Sequence, residues 1–425
     1  FYATSGEGAN YSFFANDNIP IYFFMSIIVS LFMGLTVSAE EIFRDRKILK
    51  REQFLNLSRS GYLISKMLVL FFISAIQTGS FVLMGHFILE ISGMGWMVWI
   101  VLFSVSCFAN MMGLNISSTF NSAVTIYILI PLLLIPQLLL SGVVISFDKF
   151  NPSVSAVDGV PVIGDLMVSR WGFESIMVSQ FKSNKYNKIF YDVDQRISNA
   201  AYKKLYLIPH LESKLAFCIN NLSQKRTGKK EAFMSALSIL QQEIKKELVL
   251  VGEDKYKRID RLTIQRFDST QYDQTAKFLS ILKKYYVNIY NQADREKNAI
   301  LAEYASTPEG IERLKSLKSK YHNKSIEDVV TNRGTAARLI EVNDQVIRKI
   351  DPIYYMEDEA EHILDFKTKF FTPVKYIYGQ PHDTLNFNLA VIWTFSIILY
   401  FTLYMDLLKR ILNLFSRQKG RFGKK

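Results

Sequence analysis

Five apolar stretches decide most of what this chain can become: Ile19 to Ala39, Met67 to Ile91, Gly95 to Asn115, Ala123 to Phe147 and Leu385 to Leu408. Each reaches the roughly 20 residues of helix that cross a hydrocarbon layer about 30 Å thick. Of the 425 residues, 49% are hydrophobic and 21% are charged, a mixture that describes apolar spans joined to a polar body. The spacing predicts an all-α, polytopic helical membrane protein with a large extracytoplasmic α-helical insert. Two cysteines, Cys107 and Cys218, exclude a disulfide framework and a Cys-based zinc cluster. The chain opens on Phe1 with no charged leader ahead of the first span, so it reads as a fragment whose N-terminal part lies upstream.

Charge orients the spans. Residues 39–66 hold seven Lys/Arg against four acids, and residues 409–425 hold seven and no acid, so these stretches carry +10 of the net +12. Both abut spans, and cations beside spans mark the cytosolic side. Residues 1–18 then lie outside, 39–66 inside, the turn at 91–94 outside and that at 118–121 inside. Residues 148–384 lie outside, and the C-terminus is cytosolic. The body is nearly neutral, which argues against a nucleic-acid partner. Within it, Glu231–Leu250, Ser269–Ala305, Glu309–Tyr321 and Ile326–Ile350 carry apolar residues at helical spacing. Asp268-Ser269-Thr270 offers N-caps, while Thr307-Pro308 and Asp351-Pro352 mark breaks. The body is either a solvated insert or a module for a periplasmic partner.

The most informative stretch runs from Ala39 to Leu83. It reads as an amphipathic helix with Ile42, Phe43 and Leu49 toward lipid and Arg44, Arg46, Lys47, Lys50 and Arg51 toward phosphates and cytosol. A turn around Asn56–Gly61 then starts the next span. The charged pairs Asp45-Arg46 and Arg51-Glu52, followed by Tyr62-Leu63 and Ser65-Lys66, carry a resemblance. They resemble the membrane half of type-2 ABC exporters, in particular the ABCG (white and pleiotropic-drug-resistance) group and its bacterial relatives. That family places an E-R-x-x-(F/L)-x-+-E pattern, a turn, Tyr-Leu and a small residue with Lys between its second and third spans. LLLSGVVISFDKFNP (Leu138–Pro152) is similar to the end of the family's fifth span and its re-entrant segment. RWGFESIMVSQF (Arg170–Phe181) is similar to its outer-loop R-(Y/W)-x-x-E-A-(L/I) stretch, with Ser175 where Ala is usual. The resemblance covers 1–182 and 385–425 and leaves out the insert at 183–384, so no substrate is carried over with it.

The resemblance implies two membrane halves, either a homodimer or a pair with a paralogous half. Each is coupled to a cytosolic nucleotide-binding domain that holds ATP and Mg; this chain itself carries no cofactor. It implies that Glu41, Arg44, Asp45, Arg46, Lys50, Arg51 and Glu52 meet that domain in a coupling loop over 40–66. It also implies an outer gate at Ser141, Gly142, Arg170 and Glu174, within a re-entrant loop over 138–182. A helix held on anionic lipid is the alternative for the 40–66 charges.

Other patterns carry less. Thr227-Gly228-Lys229-Lys230 lacks the first Gly and the hydroxyl of a P-loop, so no ATPase motif is present, and no catalytic residue is assigned. Leu57–Gly61 sits between two spans, where an ABC signature has no place. Glu359-x-x-His362 lacks the second pair that a di-iron site needs, and Asp192-x-Asp194 lacks the Gly and Glu of an EF-hand, so no metal site is expected. Gln77, His86, Asn110, Asn115 and Gln137 are polar groups inside spans, suited to a translocation path or to interhelical hydrogen bonds. Ala109 and Gly113 form a small-xxx-small pair for close helix approach. Pro131 and Pro136 predict a kinked or divided fourth helix.

The expected function is the transmembrane part of an ATP-driven exporter of a lipid-like or amphipathic substrate, in a bacterial inner membrane. The longer protein would be an ATP-hydrolysing translocase. The rival is a membrane-anchored scaffold whose periplasmic domain binds an envelope partner and transports nothing.

Overall fold

The structure is a computed structural model that describes residues 11–52, 58–151, 159–222, 230–252, 255–335, 337–356, 369–377 and 379–422; side chains are described except at 49, 50, 52 and 415–422. In chain order the elements begin with α1 (Ile19–Ser38), α2 (Glu41–Glu52), α3 (Arg59–Ile88), α4 (Gly95–Thr119) and α5 (Ala123–Leu139). Next come α6 (Val162–Asp165), α7 (Val168–Lys182), α8 (Asn187–Tyr202), α9 (Ile208–Asn220), α10 (Lys230–Val251) and α11 (Ser269–Ala305). The chain continues through α12 (Pro308–Tyr321), α13 (Lys324–Val330), β1 (Leu339–Val342), β2 (Gln345–Arg348), β3 (Val374–Ile377) and β4 (Gln380–Asp383). It ends with α14 (Thr384–Tyr404) and α15 (Leu407–Phe422). The chain forms two compact units: residues 1–185, 317–327 and 359–425 make one, and residues 186–316 and 328–358 the other.

The first unit is built around α4, against which α1, α3, α7 and α14 pack. Small residues set the closest approach: Gly34 of α1 lies against the Ser106 carbonyl and Ala109, and Gly113 lies against Ser38. The span hydroxyls of Ser26, Ser30, Ser38 and Thr78 donate to carbonyls one turn back, so they cross an apolar layer already satisfied. Among the described residues, four stretches are long and apolar enough to cross a membrane: Ile19–Ile48, α3, α4 and α14. The chain is a multi-pass membrane protein.

Three expectations need correction here. The helix that holds the second span begins at Arg59, eight positions before Met67, because Ser58 caps it by accepting from the Gly61 amide. The fourth apolar stretch is helical only to Leu139 and not to Phe147. At 1.5 Å per residue its 17 residues span about 25 Å, short of a hydrocarbon core. The helix carries Pro131 and Pro136 without dividing. Leu140–Ser146 continues as irregular backbone with Ser141 buried, a conformation tolerated at membrane depth only where protein covers it. Thirdly, Ile326–Ile350 is not one helix. Helix α13 stops at Val330, and β1–β2 follows as an antiparallel hairpin turning at Asn343-Asp344, both at positive φ. That pair is the turn chemistry a two-residue hairpin demands.

In the second unit, α8 runs into α9 through one π-turn at Lys203–Leu207. Leu211 and Leu215 of α9, Phe233, Leu237, Leu240 and Ile244 of α10, and Phe278 and Leu282 of α11 make one core at three and four spacing. Helix α11 starts where expected, with Asp268 accepting from the Gln271 amide at 2.7 Å. Inside this core Glu247 is fully buried, paired with Lys203 and accepting from Tyr286 Oη at 2.5 Å.

Arg348 of β2 ties the hairpin to α8. Its guanidinium donates to Asn199 Oδ1 (2.7 Å), Ser198 Oγ (2.8 Å) and the Ile350 carbonyl (2.8 Å), lying between the rings of Tyr202 and Tyr355. Burial pushes it below the usual arginine range, against the opposing pull of Tyr355 and Asp351. A lysine keeps the charge and loses the planar fork. Arg348→Lys is therefore expected to cost about 2 kcal/mol, read as a lower melting temperature of the full chain in detergent.

Candidate functional site

Two polar clusters stand out in the first unit. The first lies where α2 meets the bundle. Ile42 is buried with Leu63, Leu70, Met111, Leu114 and Leu403, so it faces protein and not lipid, correcting the amphipathic reading. Lys66 Nζ of α3 donates to Glu41 Oε2 and lies by Asp45 Oδ2, both at 2.8 Å, and Tyr62 Oη donates to Asp45 at 2.9 Å. Arg44 bonds Glu41 at 2.7 Å. On the other flank Arg46 donates to the carbonyls of Ser117 (2.8 Å) and Ser118 (2.7 Å) and to Asn121 Oδ1, and the Phe43 amide donates to Ser117 Oγ at 2.9 Å.

Helix α2 is thus braced to α3 on one side and to the α4–α5 turn on the other. Of the seven residues assigned to coupling, Glu41, Asp45 and Arg46 are spent on this brace. Arg44 and Arg51 are exposed, as is Lys47. The side chains of Lys50 and Glu52 lie outside the described residues. Tyr62 and Lys66 were legible as part of the motif but not as partners of the two acids. Asn121 gave no signal beyond its place in a short turn.

The second cluster centres on Glu174 of α7, whose side chain is 0% exposed. Its Oε1 accepts from Lys375 Nζ at 2.7 Å and the Phe371 amide at 2.8 Å; its Oε2 accepts from Asn388 Nδ2 at 3.0 Å. Arg170, also fully buried, donates to Asp165 Oδ1 at 2.9 Å and stands 3.6 Å from Glu174. Its guanidinium lies 3.8 Å from the Trp171 ring centroid, and burial pushes it below the usual arginine range while Glu174 and Asp165 oppose the shift. The cluster stitches α7 to β3 and to the start of α14. It unites Arg170 and Glu174, as their spacing suggests, but brings in Lys375 and Asn388 from about two hundred positions away, which sequence reasoning missed.

Gly142 is linked to it through rings: Phe147, packed against Gly142, meets Phe370, which lies beside the Arg170 guanidinium. Gly142 takes φ +79°, and a Cβ there would fall 2.3 Å from the Phe147 ring, so the turn needs glycine to let that ring pack. Ser141 Oγ donates to the Leu138 carbonyl at 3.0 Å.

The polar span residues separate into two groups. Asn110 Nδ2 donates to Ser74 Oγ at 2.8 Å, joining α4 to α3. Asn115 Nδ2 donates to the Leu399 carbonyl at 2.9 Å and its Oδ1 accepts from Thr402 at 3.0 Å, joining α4 to α14. Gln137 Oε1 accepts from the Ser169 amide at 3.1 Å, joining α5 to α7. Gln77 Oε1 and His86 Nε2 on α3, and also Asn110 Oδ1 on α4, are buried and meet no hydrogen-bond partner among the described residues. The structure thus brings none of these five onto one surface by direct contact. Ser58 of the Leu57–Gly61 stretch serves as a helix cap. Asp194 pairs with Lys297 at 2.6 Å. Residues 223–229 and the Glu359/His362 pair lie outside the described residues.

Comparison with known proteins adds one finding. Residues 2–181 match the family model described as ABC-2 type transporter. No curated protein and no solved structure matches the chain. The matched range stops within α7, five positions before the second unit begins at Tyr186.

Proposed function

We propose that the chain is the transmembrane component of an ABC exporter, with an ABC-2 type membrane domain over residues 2–181 as the premise. That match is the observation that carries the reading. A nucleotide-binding domain outside these 425 residues supplies ATP hydrolysis, and α2 is the surface it pushes on. The brace supports this: a helix tied at Lys66 to α3 and at Arg46 to the α4–α5 turn passes a push to three spans as one body. Two such membrane halves enclose the path, and a lipid-like or amphipathic substrate passes between them. Gln77 and His86, with polar atoms left over, are assigned to the path, and the Glu174 cluster holds the outer segment shut. Both basic stretches sit at one end of the bundle, as Arg59 from the start of α3 bonds Asp406 after α14 at 2.7 Å. With α5 and the Leu140–Ser146 segment taken together as the remaining crossing, that arrangement supports a cytosolic C-terminus and an external body.

The exposed cations are the ones to test. Lys47→Glu with Arg51→Glu is expected to lower cysteine cross-linking of α2 to the nucleotide-binding domain by about tenfold or more. ATP-driven movement of a fluorescent phospholipid would fall with it, while membrane insertion stays normal. Unchanged cross-linking and movement would remove α2 as the coupling surface.

A further inference from the structure

The last span does not run on into a loose tail. Helix α14 stops at Tyr404, and Asp406 adopts φ +52°, the left-handed conformation that ends a helix. Its amide donates to the Leu403 carbonyl at 3.2 Å. Arg59 clamps the same turn through Asp406 and the Leu403 carbonyl. Helix α15 then sets off from a fixed point at the end of a span.

Over its first two turns the residues divide by face. At 100° per residue, Leu407, Leu408, Ile411, Leu412 and Leu414 share one side, with Lys409 and Arg410 on the other, and the sequence adds three more cations before Phe422. The apolar side has little protein against it: Ile411 is 40% exposed and Leu414 is 61% exposed. No acid occurs from residue 409 to the C-terminus.

We propose that α15 is a membrane-surface helix that binds anionic phospholipid in the leaflet where α14 ends. Its apolar side enters the acyl boundary, and its cations take the lipid phosphates. Position selects lipid over a protein groove, because a helix starting at the end of a span begins at the bilayer surface. Charge selects anionic headgroups, since the helix carries five cations and no acid. At 16 residues, five of them basic, α15 is too short and too polar to span. The inference rests on α14 crossing the membrane and not on export.

The test uses the full chain in nanodiscs, either of phosphatidylcholine alone or with phosphatidylglycerol added. A fluorophore is placed at Ile411→Cys or at Arg410→Cys, the native Cys107 and Cys218 being buried. Nitroxide-labelled lipid should quench the label at 411 and aqueous iodide the label at 410. The contrast should be about fivefold larger in the anionic discs. It should fall to the neutral-disc level in high salt or on Lys409→Glu with Arg417→Glu. A label at 411 open to iodide in both lipids overturns the proposal. So does one shielded from both quenchers, which would mean a protein covers the face.

Discussion

Glu174→Ala is expected to cost about 3–5 kcal/mol, because it leaves the Lys375 ammonium buried without a counter-charge. Lys375 is 3% exposed and Glu174 0%, so water cannot replace the lost partner without opening the α7–β3 contact. The same change frees the Phe371 amide and one of the two Asn388 Nδ2 hydrogens, the other keeping the Trp171 carbonyl at 3.2 Å. Arg170 keeps only Asp165. The expected result is a sharp fall in folded yield and melting temperature of the detergent-solubilised chain. Lys375→Met added to Glu174→Gln should recover more than half the loss, since a neutral pair of similar size removes the stranded charge and the Gln oxygen still offers an acceptor. A double variant as unstable as Glu174→Ala would show that the carboxylate matters for its two amide contacts and not for the ion pair. If the cluster holds the outer segment shut, the rescued double variant should also leak a small fluorescent lipid probe without ATP.

The spans were legible because hydropathy over 20 residues leaves few other folds, and α1, α3, α4 and α14 fall where the runs lie. Hydropathy reports burial without saying in what. Leu138 to Phe147 is as apolar as a span, yet Ser141 and Phe147 are buried in protein, Phe147 against Gly164 of α6 and Phe370, and the helix ends at Leu139. Periodicity failed at Ile326–Ile350 for a related reason. Ile340, Val342 and Val346 satisfy a period of two as readily as one of three and four, and Asn343-Asp344 was the cue that separates them. In the candidate sites, motif spacing brought Arg170 to Glu174 because both sit on one helix. It could not bring Lys375 or Asn388, whose approach depends on how the chain returns from the second unit to start α14. The seven coupling residues illustrate the same limit. Their charges were plain, but which ones stay exposed depends on Lys66 and on the Ser117–Asn121 turn.

The tightest test of the bundle itself is Gly34. A Cβ placed there would stand 2.6 Å from the Ser106 carbonyl oxygen and 2.7 Å from the Ala109 Cβ. Neither atom belongs to a flexible side-chain tip, so α1 and α4 must move apart to admit even alanine. Gly34→Ala is expected to cost about 1–3 kcal/mol, the usual penalty of overpacking, and Gly34→Val to give almost no folded protein. Gly113 faces the same interface differently: its nearest neighbour is the Ser38 hydroxyl at 2.0 Å, which can rotate, with the Ala39 amide at 3.2 Å. Gly113→Ala should therefore be milder than Gly34→Ala. Gly334 in the second unit meets nothing within 4 Å, so Gly334→Ala should leave the melting temperature unchanged. The order Gly34, Gly113, Gly334 in loss of melting temperature follows from helix contact alone. Equal losses at Gly34 and Gly334 would mean that α1 does not pack on α4 at this distance, and the central position of α4 in the bundle would fall with it.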